Sequence, residues 1–138
     1  MRQSCLIILV LWINACYPYK CEVPPPDVFV QLDMTGLDSS YLESLNWEVT
    51  TAEGVAYYSY EIRPLTVSGK ALFQVEVHHV SESGELYLAY GNADVDTLMV
   101  VTHEEKSGCT RTVLDQVWMN GDLLTMNTDS TYFYQKRP

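Results

Sequence analysis

The sequence predicts an all-β fold: an antiparallel up-and-down β-barrel or sandwich of about eight to ten short strands, with at most one short helix, preceded by a cleaved signal peptide. Three observations carry this reading. Apolar and polar residues alternate with period two over segment after segment, as half-buried strands require. Turn signals built from Gly, Asn, Asp and Ser separate these segments at spacings of about 7–17 residues. Near the C-terminus, Asn120-Gly121 stands between two apolar runs. That dipeptide is the strongest short-range hairpin signal, because a type I′ turn needs two residues at positive φ.

The elements follow in order. In residues 27–34, Val28, Val30, Leu32 and Met34 fall on one face while Gln31 and Asp33 fall on the other, which predicts the first strand. Thr35-Gly36 breaks it. Leu37, Tyr41, Leu42 and Leu45 then recur at helical spacing, with Asp38 or Ser39 able to cap a short helix. Residues 46–51 form a second strand and 55–62 a third, the latter with Tyr58, Tyr60 and Ile62 opposite Tyr57. Residues 71–80 give the longest alternation, with Phe73, Val75, Val77 and His79 opposite Gln74, Glu76 and His78. Strands at 85–90 and 97–103 follow. Cys109 heads a closing meander of three antiparallel strands, with turns at Asn120-Gly121 and Asn127-Thr128-Asp129.

The chain of 138 residues begins with Arg2 and an apolar run from Cys5 to Ile13, then Ala15 and Cys16. A short basic start, an apolar core too short to span a bilayer and a small residue at the cleavage position describe a secretory signal peptide. Residues 1–16 are therefore assigned to the signal, with cleavage after Ala15 or Cys16. Residues 17–26 form a Pro-rich extended lead-in, since Pro24-Pro25-Pro26 excludes a helix or a central strand. Residues 27–138 form a single β domain. Its expected destination is the extracellular space, without a membrane span.

The net charge of −10, with only Arg63, Lys70, Lys106 and Arg111 as basic residues between positions 22 and 135, disfavours phosphate backbones and anionic membranes. Nucleic acid is not an expected partner. In an oxidising compartment the simplest cysteine pairing joins Cys21 to Cys109. Closing so long a loop is worth about 4–5 kcal/mol by chain entropy. No Asn-x-Ser/Thr sequon occurs.

Motifs for catalysis are missing: there is no Gly-x-Ser-x-Gly elbow, phosphate-cradling glycine loop or His-Glu-x-x-His, so the protein is not expected to be an enzyme and no catalytic residue or cofactor is assigned. His78 and His79 point to opposite faces of a regular strand and cannot share one metal. A site combining one of them with His103 and Glu105 has suitable ligand chemistry, but tolerated polar residues at a sheet edge explain the same pattern, and no metal site is assigned. Asn92-x-Asp94-x-Asp96 mimics the start of a Ca²⁺ loop without its Gly or its bidentate Glu, which leaves at most a weak surface association with Ca²⁺. The ten tyrosines are more than a core needs, because each buried hydroxyl wants a partner. Lining a cavity, Tyr57, Tyr87, Tyr90, Trp118 and Phe133 would give apolar walls with polar tips. On an outer sheet face, such residues suit protein recognition instead.

Residues 110–112, 120–126 and 132–136 (Thr-Arg-Thr, Asn-Gly-Asp-Leu-Leu-Thr-Met and Tyr-Phe-Tyr-Gln-Lys) resemble the last strands of fatty-acid-binding proteins and related calycins. The resemblance covers roughly the final 40 residues. It implies a β-barrel carrying a small apolar or amphipathic ligand, with Arg111 reading the ligand's carboxylate and a tyrosine hydroxyl as second anchor. The alternatives from a different class are a secreted protein-binding β-sandwich, such as a decoy or surface-interaction factor, and an acidic matrix- or mineral-associated protein.

Overall fold

The computed structural model describes residues 23–57, 59–91 and 94–137. Among the described residues the chain forms nine strands and one short helix: β1 (Val28–Asp33), α1 (Ser39–Glu43), β2 (Glu48–Thr51), β3 (Tyr60–Val67), β4 (Lys70–Val77), β5 (Gly84–Ala89), β6 (Val95–Ser107), β7 (Cys109–Met119), β8 (Asp122–Leu123) and β9 (Tyr132–Gln135). They build a four-stranded sheet in the order β3-β4-β1-β9 and a five-stranded sheet in the order β2-β5-β6-β7-β8. The residues expected to form the signal peptide, and Cys21, lie outside the described residues.

One core joins the sheets. Val28, Val30 and Leu32 of β1 and Val75 and Val77 of β4 meet Val49, Leu86, Leu88, Leu98, Val100, Val117 and Met119 from the five-stranded sheet. Every one of these comes from the apolar phase of an alternating strand, so the inner face of each sheet is read directly from the period-two pattern. Between the sheets the Trp47 ring packs against Phe73 at a centroid distance of 5.3 Å and against Tyr90 at 4.7 Å. This is a β-sandwich.

The up-and-down barrel is not formed. Connections cross from one sheet to the other at β1–β2, β2–β3, β4–β5 and β8–β9, so consecutive strands are not always neighbours and the two sheets keep separate edges. The meander survives only in part. Asn120 and Gly121 take φ of 51° and 84° and join β7 to β8, as a type I′ turn requires. β9 then leaves that sheet and pairs parallel with β1, Val30 opposite Tyr132 through Asp33 opposite Gln135, where a third antiparallel strand was expected. The crossing buries Leu124 in the core and Tyr132 beneath the other sheet.

Other boundaries shift for local reasons. β3 begins at Tyr60 and runs through Pro64, which an edge strand tolerates because its outward N–H needs no ladder partner. β4 stops at Val77, and His79 turns into the left-handed region at φ 57°. The helix is a single turn capped by the Asp38 carboxylate, which accepts from the Ser40 N–H at 2.8 Å. β6 and β7 run past the end of β5, which pairs no further than Gly84 with Val100. Beyond that point they pair only with each other and form a two-stranded arm, with a bulge that leaves Asp115 unpaired in the ladder.

Candidate functional site

The two sheets present different outer faces. On the five-stranded sheet, residues whose neighbours along the strand point into the core point away from it. Cross-strand register then places Met99 opposite Trp118 and Trp118 opposite Leu123, a continuous apolar row across β6, β7 and β8. Glu85 continues the row on β5, opposite Met99. Alongside lie Tyr87 opposite Thr97, and Ala89 opposite Val95. Leu123 and Val95 are 51% and 48% exposed, while Met99 and Trp118 between them are half-buried. The Trp118 Nε1–H is satisfied locally by Gln116 Oε1 at 3.3 Å, and the Tyr87 hydroxyl by Glu85 Oε2 at 3.2 Å. The aromatic surfaces are thus held in place while their faces remain available.

On the four-stranded sheet the outer face combines a self-paired polar cluster on β3 and β4 with the exposed apolar residues Val67 and Phe133. Glu61, Arg63, Gln74 and Glu76 are cross-strand neighbours on β3 and β4. The Arg63 guanidinium pairs with Glu61 and with the buried Glu76, and Gln74 Nε2 donates to Glu76 Oε1 at 3.0 Å. Glu61, Glu76 and His78 bring one ligand atom each within 4.8 Å of one another, the only such group of three among the described residues. This cluster was not foreseen in the sequence, because Glu61 and Glu76 meet only through the β3–β4 register. The residues have metal-binding chemistry, but Arg63 already compensates both carboxylates, and His78 Nδ1 faces Asp27 Oδ2 at 3.4 Å.

The six residues expected to line a ligand cavity do not converge. Arg111 lies exposed on the arm, its Nε donating to Glu105 Oε2 at 2.7 Å. Tyr87 and Trp118 share the outer face of the five-stranded sheet, while Phe133 is 46% exposed on β9 of the other sheet. Tyr90 is inside the core, and Tyr57 flanks β2 with its hydroxyl donating to the His78 carbonyl at 2.9 Å. His103 and Glu105 are likewise engaged separately: His103 Nδ1 contacts the Asp115 carboxylate at 2.8 Å, and Glu105 pairs with Arg111.

The Ca²⁺-like acids have a partner that the sequence did not reveal. Lys136, only 8% exposed, sets its Nζ 2.9 Å from Asp96 Oδ2 and 3.2 Å from Asp94 Oδ2, and 4.4 Å from the centroid of the Tyr90 ring. The Tyr90 hydroxyl donates to Asp96 and the Tyr41 hydroxyl to Asp94. Asn120 Nδ2 donates to Asp96 Oδ1 at 2.7 Å and to the Tyr134 hydroxyl at 3.1 Å. Burial, then the two carboxylates, push the Tyr90 phenol far above its ordinary range, and Tyr41 follows for the same reasons. An ammonium group occupies the place between Asp94 and Asp96 that a cation would need, and Asn92 lies outside the described residues. This cluster ties the end of β9 to the five-stranded sheet. Comparison with protein families, with curated proteins and with solved structures finds no match for the chain.

Proposed function

We propose that the chain is a secreted, non-enzymatic protein-recognition module that binds an extracellular protein through the outer face of its five-stranded sheet. The observation that carries this reading is the row Met99–Trp118–Leu123, which is apolar, continuous across three strands and flanked by Tyr87 and Val95. Trp and Tyr on a rigid sheet provide large contact area with little rotamer entropy to lose, the character of binding hot spots. The face is bordered by Glu48 and Glu85, and Arg111 and His103 on its arm are engaged by Glu105 and Asp115. The complementary partner surface is an apolar patch ringed by Lys and Arg.

Secretion follows from the N-terminal signal pattern. Cys109 is half-buried at the head of β7, and its expected bridge to Cys21 is part of this reading. The barrel-borne cargo of the calycin reading has less support, because Arg111 and the aromatic residues expected around it are dispersed over separate surfaces.

The test is an array of extracellular domains probed with the mature protein, with a Trp118→Ala/Leu123→Asp variant and with Phe133→Ser as a control on the opposite sheet. The double variant is expected to lose about 30-fold or more in affinity for any specific partner, the equivalent of roughly 2 kcal/mol at a hot spot. The control is expected to bind unchanged. Binding that ignores the double variant, or that Phe133→Ser abolishes, would sink the assignment.

A further inference from the structure

We propose that the cleft at the β2–β5 end of the sandwich binds a small amphipathic amine, an ammonium head on an aryl or alkyl body. The cleft has a volume of about 390 Å³, within the range of small-molecule sites. Its floor is the end of the hydrophobic core: Val80, Leu86 and Val100 are at most 9% exposed, and the Tyr57 ring flanks them. An apolar body placed there would continue the core.

The rim has one sign of charge. Glu53, Glu82 and Glu85 line the cleft and no Lys or Arg does; His79 is the one other titratable side chain there besides Tyr57. Carboxylates around an apolar floor attract an organic cation and repel a fatty acid, the opposite charge preference from that of an arginine-anchored barrel. A bare Ca²⁺ or Mg²⁺ is a poor fit, because it requires a shell of oxygens that the floor lacks.

A second observation inside the cleft points the same way. The Thr51 hydroxyl oxygen is buried and makes no hydrogen bond of ordinary geometry, although it is near enough to Glu53 to hold that carboxyl below its usual range. By favouring the ionised form of Glu53, this hydroxyl supports the carboxylate that an ammonium head would meet at the rim.

The wall is also preorganised. The His79 N–H donates to Asp27 Oδ1 at 2.9 Å, and the Val80 N–H to the Pro26 carbonyl at 3.0 Å. The Ser83 hydroxyl accepts from the Thr102 N–H at 2.7 Å. A wall fixed before binding loses little entropy on binding. The inference does not rest on the recognition face; Glu85 alone borders both.

The experiment titrates ¹⁵N-labelled mature protein with 2-phenylethylammonium, 2-phenylethanol and 3-phenylpropionate, following backbone amide shifts. The ammonium is expected to move Thr51, Val80, Leu86 and Val100, to bind about tenfold more tightly than the alcohol, and to find no counterpart in the carboxylate. In the triple variant Glu53→Gln/Glu82→Gln/Glu85→Gln, that preference should disappear while alcohol binding persists. The three carboxylates are exposed, and the same spectra report that the fold is intact. Equal binding of amine and alcohol, shifts spread to remote acids such as Glu104 and Asp129, or no shift at millimolar amine would overturn the proposal.

Discussion

The two ends of the sandwich deal with carboxylates in opposite ways. At the end where β5 stops and β6 starts, Asp94 and Asp96 converge on the buried Lys136 ammonium, with Tyr90, Tyr41 and Asn120 supplying hydrogen bonds. At the end where β5 starts, Glu53, Glu82 and Glu85 stand around an open cleft with no Lys or Arg among them. The first arrangement is self-sufficient: each buried charge has a countercharge and each hydroxyl a partner, which is the condition for burying ions at all. The second leaves an apolar floor and a one-signed rim, both of which an incoming ligand could complete. In a chain with a net charge of −10, acidity is structural at one end and available at the other.

The largest expected effect is at the closed end. Lys136→Met removes the cation and leaves two carboxylates facing each other, one of them buried, which should destabilise the fold by about 3–5 kcal/mol in urea melts. Adding Asp94→Asn and Asp96→Asn to the same chain should recover part of that loss, since a buried ionic group replaced as a whole is often near neutral. Recovery is the sharper result, because a variant that merely damaged packing would not be rescued. Tyr90→Phe comes next. It removes a buried hydroxyl from a charged acceptor while leaving Lys136 and Asn120 on Asp96, with an expected loss of about 1.5–3 kcal/mol.

How much of this was legible in the sequence depends on the range of the interaction. Strand faces were legible: Val28, Val30, Leu32, Val75, Val77, Leu86 and Leu88 are all buried as their alternation requires. The Asn120-Gly121 turn was legible too, because it is encoded by two residues. The destination of β9 was not. The turn at 127–130 closes locally, with Asn127 Oδ1 accepting from the Asp129 and Thr131 N–H groups at 2.9 Å, and so resembles another hairpin. Only the ladder to β1, some 100 positions away in sequence, reveals the crossing. Lys136 shares that fate, since its partners become neighbours only once β9 has crossed. The outer-face row was half legible, because Trp118 and Tyr87 stood out by type, whereas the Met99–Trp118–Leu123 alignment is a matter of register.

pH separates the two ends further. Tyr90 and Tyr41 have phenol pKa values raised in the fold above the ordinary value near 10, so their contribution is complete below about pH 10 and is lost as pH rises beyond it. The alkaline limb therefore belongs mainly to the closed end, and Tyr90→Phe should flatten it. Asp27 behaves in the opposite sense. The His79 N–H, and then the His78 ring, hold its carboxyl below the usual range despite partial desolvation, so its contribution is present above about pH 4 and is lost as pH falls through the folded value. Asp33, held low first by Thr35, adds to the same acid limb from the closed end. Asp27→Asn should shrink but not abolish the acid dependence of urea midpoints between about pH 5 and pH 2. An unchanged acid limb would detach the cleft wall from stability altogether.

The smallest expected effect discriminates best between the two ends. Thr51→Val replaces a buried hydroxyl that makes no ordinary hydrogen bond with a methyl group of nearly the same shape. Removing an unsatisfied buried polar atom is near neutral or stabilising, so the urea midpoint should stay within about 0.5 kcal/mol of the parent or rise above it. Set beside Tyr90→Phe, this is the same chemical deletion, one hydroxyl, with opposite expected consequences. The reason is that Tyr90 donates to the buried Asp96, whereas the Thr51 hydroxyl faces only the exposed Glu53 carboxylate, outside ordinary hydrogen-bond geometry. A substantial loss of stability in Thr51→Val would mean that the hydroxyl is already satisfied in the free protein, most simply by ordered water. The cleft would then be hydrated and self-contained like the closed end, and the contrast between the ends would collapse.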